Sequence, residues 1–146
     1  MGTVDIVDED ETDADGVAVE HLHRRVPAVA DRLSQLRRAV MDWATRLGLA
    51  ADLVEDLVLA TYEAMANVVE HAYCGCLGGL FDLCARADRT RGTVTVTVTD
   101  YGRWRPPPAD PGTRGRGLPL IHNLAEHADI LPSPHGTTVT MTYRMA

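Results

Sequence analysis

Glu63, Asn67 and His71 follow one another at i, i+4 and i+8. On a helix this spacing gathers them within about 80° of the circumference, with Glu70 close to the same line. An asparagine there offers a hard amide oxygen of the kind Mg²⁺ accepts. A glutamate one turn earlier can take the proton of a hydroxyl or aim that hydroxyl at phosphorus. The same triplet also suits a solvated seam where a helix leaves a core, and spacing alone leaves both readings open. A second pattern, Asp100-Tyr101-Gly102, closes a run of threonine and valine. A carboxylate at a strand terminus can accept from the exocyclic amine of adenine, and a glycine two residues later lets a base approach the backbone. An ordinary aspartate-glycine turn has the same residues. In a third pattern, Gly112, Gly115 and Gly117 interleave with Arg114 and Arg116 ahead of a short apolar-periodic segment. Backbone amides and a helix amino terminus would converge there, where an anion could sit.

The chain contains no lysine, which excludes mechanisms built on an ammonium group such as the P-loop lysine, the strand lysine of ordinary protein kinases or a Schiff base. A phosphate site would instead need glycine amides, a metal ion and arginine. The formal charge is −7, from 14 arginines against 21 carboxylates. Asp5, Asp8, Glu9, Asp10, Glu11, Asp13 and Asp15 account for the whole excess. A neutral body with an acidic tail lacks the cationic footprint of a nucleic-acid binder. No apolar run approaches the ~18 to 20 residues that span a bilayer, and the acidic start is unlike a signal or transit peptide, so a cytoplasmic protein with no membrane partner is expected. Cys74, Cys76 and Cys84 form an odd set, expected to be reduced thiols. With His71 they do not match the paired-cysteine spacing of a zinc knuckle.

The elements that must position these residues follow from periodicity. At 146 residues and 45% apolar content, one domain is expected, with a core that needs no disulfide or structural metal. Residues 1–16 are acidic and lack aromatic residues, the composition of a disordered tail. Val17 to Arg24 alternates as an edge strand does, and Pro27 suits the first turn of a helix. Val29, Leu33, Leu36, Val40, Trp43 and Leu47 form one apolar stripe ending at Gly48. A second helix, from about Asp52 to Tyr73, is apolar around most of its circumference and is expected to be central. Phe81 and Leu83 alternate with Asp82 and Cys84 as a strand. Thr93 to Thr99 and Thr138 to Tyr143 alternate without a break, apolar on one face and largely threonine on the other. The long loop from Tyr101 to Arg116 precedes a short helix carrying Leu118, Ile121 and Leu124. These elements predict an α/β fold, a two-layer sandwich of a mixed, mostly antiparallel sheet with helices on one face.

Taken in order, these segments resemble the GHKL-type ATPases with the Bergerat fold, and most closely the stand-alone anti-sigma-factor serine kinases of bacterial partner-switching systems. "EAMANVVEHAY" at 63–73 is similar to that family's N box, and "VTDYGRW" at 98–104 to its D-x-G box. "RGRGLPLI" at 114–121 is similar to its second glycine box, and "GTTVTM" at 136–141 to its closing strand. The resemblance spans about residues 17–146. It implies that Glu63 is the catalytic base, Asn67 holds Mg²⁺ and Asp100 reads the adenine amine, with Gly102 supporting the base. Gly115 and Gly117 would line the phosphates of ATP with Arg116 between them, and Thr137 would approach the adenine. It further implies a homodimer that sequesters a sigma factor and phosphorylates a serine on an anti-anti-sigma antagonist. A chain ending at Ala146 fits the single-domain members rather than the gyrase-like and mismatch-repair relatives, and a first long helix without histidine argues against an autophosphorylating histidine kinase. Pro106, Pro107, Pro108 and Pro111 stiffen the loop, so a nucleotide-binding switch without phosphotransfer is the alternative expectation.

Overall fold

A computed structural model describes residues 10–12, 18–73, 79–102 and 117–145. Alternating residues build its strands: Val94, Val96 and Val98 of β4 (Thr93–Asp100) are buried, and the threonines between them are half-exposed. β3 (Leu80–Asp88) and β6 (Gly136–Arg144) repeat the habit with Phe81, Leu83, Ala85 and Ala87, and with Val139, Met141 and Tyr143. Two further strands are β1 (Asp10–Thr12) and β2 (Ala18–Pro27), and β5 (His127–Ser133) completes the six. The sheet runs β1-β2-β3-β4-β6-β5, and every neighbouring pair is antiparallel, so the sheet is not mixed among the described residues.

α1 (Leu33–Arg46), α2 (Ala51–Asn67) and α3 (Gly117–Leu124) cover the apolar face, and α2 touches α1, α3, β4 and β6. Leu36, Val40, Trp43, Leu57, Met65 and Ile121 meet the valines of the sheet in one core. This is the expected sandwich with helices on one face. No helix among the described residues is long and apolar enough to cross a membrane.

Several local expectations change. Pro27 ends β2 opposite Leu80 rather than opening a helix, because a strand's last position can lack an N–H. α1 therefore starts later, after one 3₁₀ turn at Ala30–Arg32, and Val29 is 44% exposed rather than part of the stripe. The central helix is α-helical only to Asn67; Val68–Ala72 widen into a π turn, a feature often found at functional sites. Leu59 is 43% exposed, so α2 is less enclosed than its composition implies. The edge strand β1 lies inside the acidic stretch read as a disordered tail, since a ladder needs only backbone groups to pair. β5 went unread because Pro132 and the outward Leu131 break its alternation.

Candidate active site

α2, the π turn, the end of β4 and the start of β6 bring together parts of the segments at 63–73, 98–104 and 136–141. β4 delivers Asp100 on its buried face, almost wholly out of solvent. Its Oδ1 accepts the N–H of Gly102 at 3.1 Å and the N–H of Thr137 at 3.2 Å. Charge-assisted bonds of this kind offset the cost of burying a carboxylate and fix its orientation. Gly102 packs on the end of the π turn so closely that a Cβ would collide with the carbonyl oxygen of Ala72. At Gly136 a Cβ would strike the carbonyl oxygen of Asp100, and φ there is 146°, so only glycine fits on both counts.

Tyr73 ties the same parts from the other side. Its hydroxyl donates to the carbonyl of Leu80 and accepts the N–H of Tyr101 at 2.9 Å. Desolvation raises its pKa, so the phenol stays protonated and able to donate.

Asn67, at the last turn of α2, is buried, and its amide nitrogen has no hydrogen-bond partner among the described residues. A buried carboxamide left incomplete by protein groups is what a ligand-facing side chain looks like. Glu63, one turn earlier and about 40° round the axis, is half-buried. It borders a groove of about 640 Å³ between α1 and α2, with Arg37, Met41, Leu59 and Tyr62. His71 is half-buried in the π turn, its Nε2 lying 3.5 Å from Glu70 Oε2.

Gly117 opens α3, and α3 packs against α2, so the amino end of that helix belongs to the same layer as Asn67. Gly115 and Arg116 lie outside the described residues, as do Gly112, Arg114, Cys74, Cys76 and the prolines of the loop. Among the described residues no group of three or more histidine, cysteine or acidic side chains could hold a metal ion. Cys84 is a free, exposed thiol.

Sequence reasoning passed over Gly136 as a site residue and missed the role of Tyr73. The glycine directly before the closing strand was the available signal for the first. The second acts through contacts that only the fold creates.

Residues 26–143 match the histidine kinase-like ATPase domain family. The chain is 37% identical over 135 residues to a serine-protein kinase RsbW of Bacillus cereus, with 84% of each covered. It is 30% identical over 141 residues to the protein of that name in Bacillus mycoides, again with 84% of each covered. Among solved structures it is similar to the crystal structure of the RsbU and RsbW domains of Rv1364c from Mycobacterium tuberculosis, with a TM-score of 0.71 and 26% identity. That similarity covers 86% of this chain and 32% of the other.

Proposed function

The chain belongs to the histidine kinase-like ATPase domain family, and from that membership we propose that it is an ATP-dependent protein-serine kinase acting as an anti-sigma factor. Its partners are then a sigma factor, which it sequesters, and an anti-anti-sigma antagonist, which it phosphorylates on serine. The observation that carries the reading is the junction at Asp100, where one carboxylate oxygen binds both the D-x-G turn and the first residues of the closing strand. That junction builds a rigid acceptor for the adenine amine, and Gly102 keeps the backbone low enough for the base to approach. Thr137 flanks it from β6.

ATP and Mg²⁺ suit the residues present. Asn67 would hold the metal through its amide oxygen, which leaves its buried amide nitrogen, unpartnered among the described residues, to donate to a phosphate oxygen. When bound, Mg²⁺ neutralises charge on the phosphates. The amides of Gly115 and Gly117 and the guanidinium of Arg116 would take the remaining phosphate oxygens, in keeping with a chain without lysine. Glu63, half-buried beside an open groove, can meet a hydroxyl presented by another protein and accept its proton as the oxygen attacks the γ-phosphorus. The leaving group is ADP. We infer a homodimer in the cytoplasm, working without nucleic-acid or membrane contacts of its own.

The test is to incubate the chain with Mg²⁺-ATP and the antagonist, then weigh the antagonist by mass spectrometry. A gain of one phosphoryl group on serine is expected. ATP binding without any gain in mass would overturn the kinase assignment and leave a nucleotide-gated binding switch.

A further inference from the structure

Tyr101 stands between the two residues of the D-x-G turn and is held from both ends, although its side chain is 51% exposed and has no core to pack into. Its N–H donates to Tyr73 Oη. Its hydroxyl donates to Asp82 Oδ2 on the outer face of β3. Asp82 in turn receives Arg25 of β2 in bidentate fashion, with Nε to Oδ1 at 2.7 Å and Nη2 to Oδ2 at 2.9 Å. Arg25 closes the triangle on Tyr101, with Nη2 3.3 Å from the phenol oxygen and the guanidinium 5.8 Å from the ring centroid. His23 Nε2 lies 3.6 Å from Asp82 Oδ1. The β2–β3 ladder already places Arg25 opposite Asp82. The ladder already joins the two strands, and the pair sets a half-exposed guanidinium on a buried carboxylate. What the triangle adds is a constraint on the one residue that has left the ladder.

We propose that Arg25, Asp82 and Tyr101 form a positioning brace that holds the Asp100–Gly102 turn in the geometry that receives the nucleotide. This rests on the nucleotide reading of the site. Hydroxyl and carboxylate fix the Tyr101 side chain outside the sheet, Tyr73 fixes its backbone inside, and the peptide running to Gly102 has little freedom left. The Gly102 and Thr137 amides then stay on Asp100 Oδ1. None of the three side chains is among the residues proposed to hold the nucleotide. They act through the turn, and Arg25 is exposed enough for a docked partner to reach it.

The test compares wild type, Tyr101→Phe and Asp82→Asn, using amide hydrogen exchange by NMR without nucleotide, ADP titration by calorimetry, and kinase kinetics. Tyr101→Phe keeps the ring and removes only the hydroxyl, so it reads the brace even if Asp82→Asn folds poorly. Exchange at Gly102 and Thr137 should quicken about tenfold while β3 and β4 exchange as in wild type. ADP should bind about tenfold more weakly, and KM for ATP should rise with kcat at saturating ATP within twofold. The double variant should be no worse than the weaker single one, because the groups act as a unit. Unchanged exchange at the two amides, or a uniform rise across the sheet, would overturn the brace. A wild-type chain that fails to bind ADP would instead refute the nucleotide reading, and the exchange data would still decide whether the turn is braced.

Discussion

The backbone N–H of Thr137 donates to Asp100 Oδ1 at 3.2 Å, joining residues 37 positions apart in the chain. Because Gly102 uses the same oxygen, one carboxylate fixes both sides of the proposed adenine site. Asp100→Asn keeps an acceptor for these amides but loses the charge and presents a donor to the adenine amine. We expect ATP affinity to fall about 10- to 100-fold, the scale of a lost charge-assisted hydrogen bond, with a smaller loss of about 1 kcal/mol in stability. Calorimetry beside urea denaturation checks this; equal losses in both would point to a structural role only.

Glu63 is half-buried at the mouth of a groove and is not engaged in the Asp100 junction. Glu63→Gln keeps the shape and removes the proposed base. Phosphotransfer should drop about 10²- to 10⁴-fold, the usual contribution of a general base, with ATP affinity unchanged. A radiolabel transfer assay that retained most of the activity would remove Glu63 from the mechanism.

Much of this site was legible in the residues themselves. The threonine/valine alternation is strong because one face of the sheet is apolar and the other is not, so the strands read at Thr93–Thr99 and Thr138–Tyr143 needed no tertiary information. Glu63 and Asn67 stood out because polar residues at fixed spacing on an apolar helix need a reason, and Asp100 because it closes a strand two residues before a glycine. The edges were harder. β1 pairs through backbone alone, and β5 carries a proline and an outward leucine, so neither has a periodic signature. The turn of α2 into π geometry and the Arg25–Asp82–Tyr101 triangle depend on contacts between residues far apart in sequence, which no local pattern records.

Gly48 and Gly136 both have positive φ, 80° and 146°, yet differ in surroundings. A Cβ at Gly48 meets nothing within 4 Å, so Gly48→Ala should cost only the backbone strain, about 1 kcal/mol. Gly136→Ala adds a collision with the carbonyl of Asp100 and must displace β6 beside Thr137. It should lose appreciably more stability and most of its nucleotide affinity. Urea midpoints and ADP titration of the pair decide the matter; equal behaviour would contradict the close approach.

The pH dependence of stability follows from three shifted groups. The hydrogen bond from Arg25 holds Asp82 below the usual carboxylate range, against the opposing effect of burial. A depressed carboxylate stabilises the fold above its unfolded pKa, and that contribution is lost as pH falls through the folded value. Tyr101 is raised, first by its hydrogen bond to Asp82, and Tyr73 is raised, first by desolvation. Phenols raised on folding stabilise below their unfolded pKa, and this is lost as pH climbs past about 10. Stability should therefore be flat near neutrality and fall at both extremes. Arg25→Ala should flatten the acid limb, as urea midpoints across pH would show.

Tyr143 and Asn67 each bury a polar atom with no hydrogen-bond partner among the described residues, and the two should respond oppositely to its removal. Tyr143 faces the core, and burial raises its pKa. Its hydroxyl gains nothing there, so Tyr143→Phe should raise stability by about 1 kcal/mol, with the denaturant slope and ADP affinity unchanged. Asn67 lies one turn from Glu63 in the layer that α3 shares. Asn67→Ala should leave the fold intact but abolish Mg²⁺-dependent ATP binding, and the wild type titrated in EDTA should bind ATP as weakly as the variant does in Mg²⁺. If Asn67→Ala binds Mg²⁺-ATP as wild type does, its unpaired amide is only another tolerated defect like that of Tyr143, and the metal must be held elsewhere.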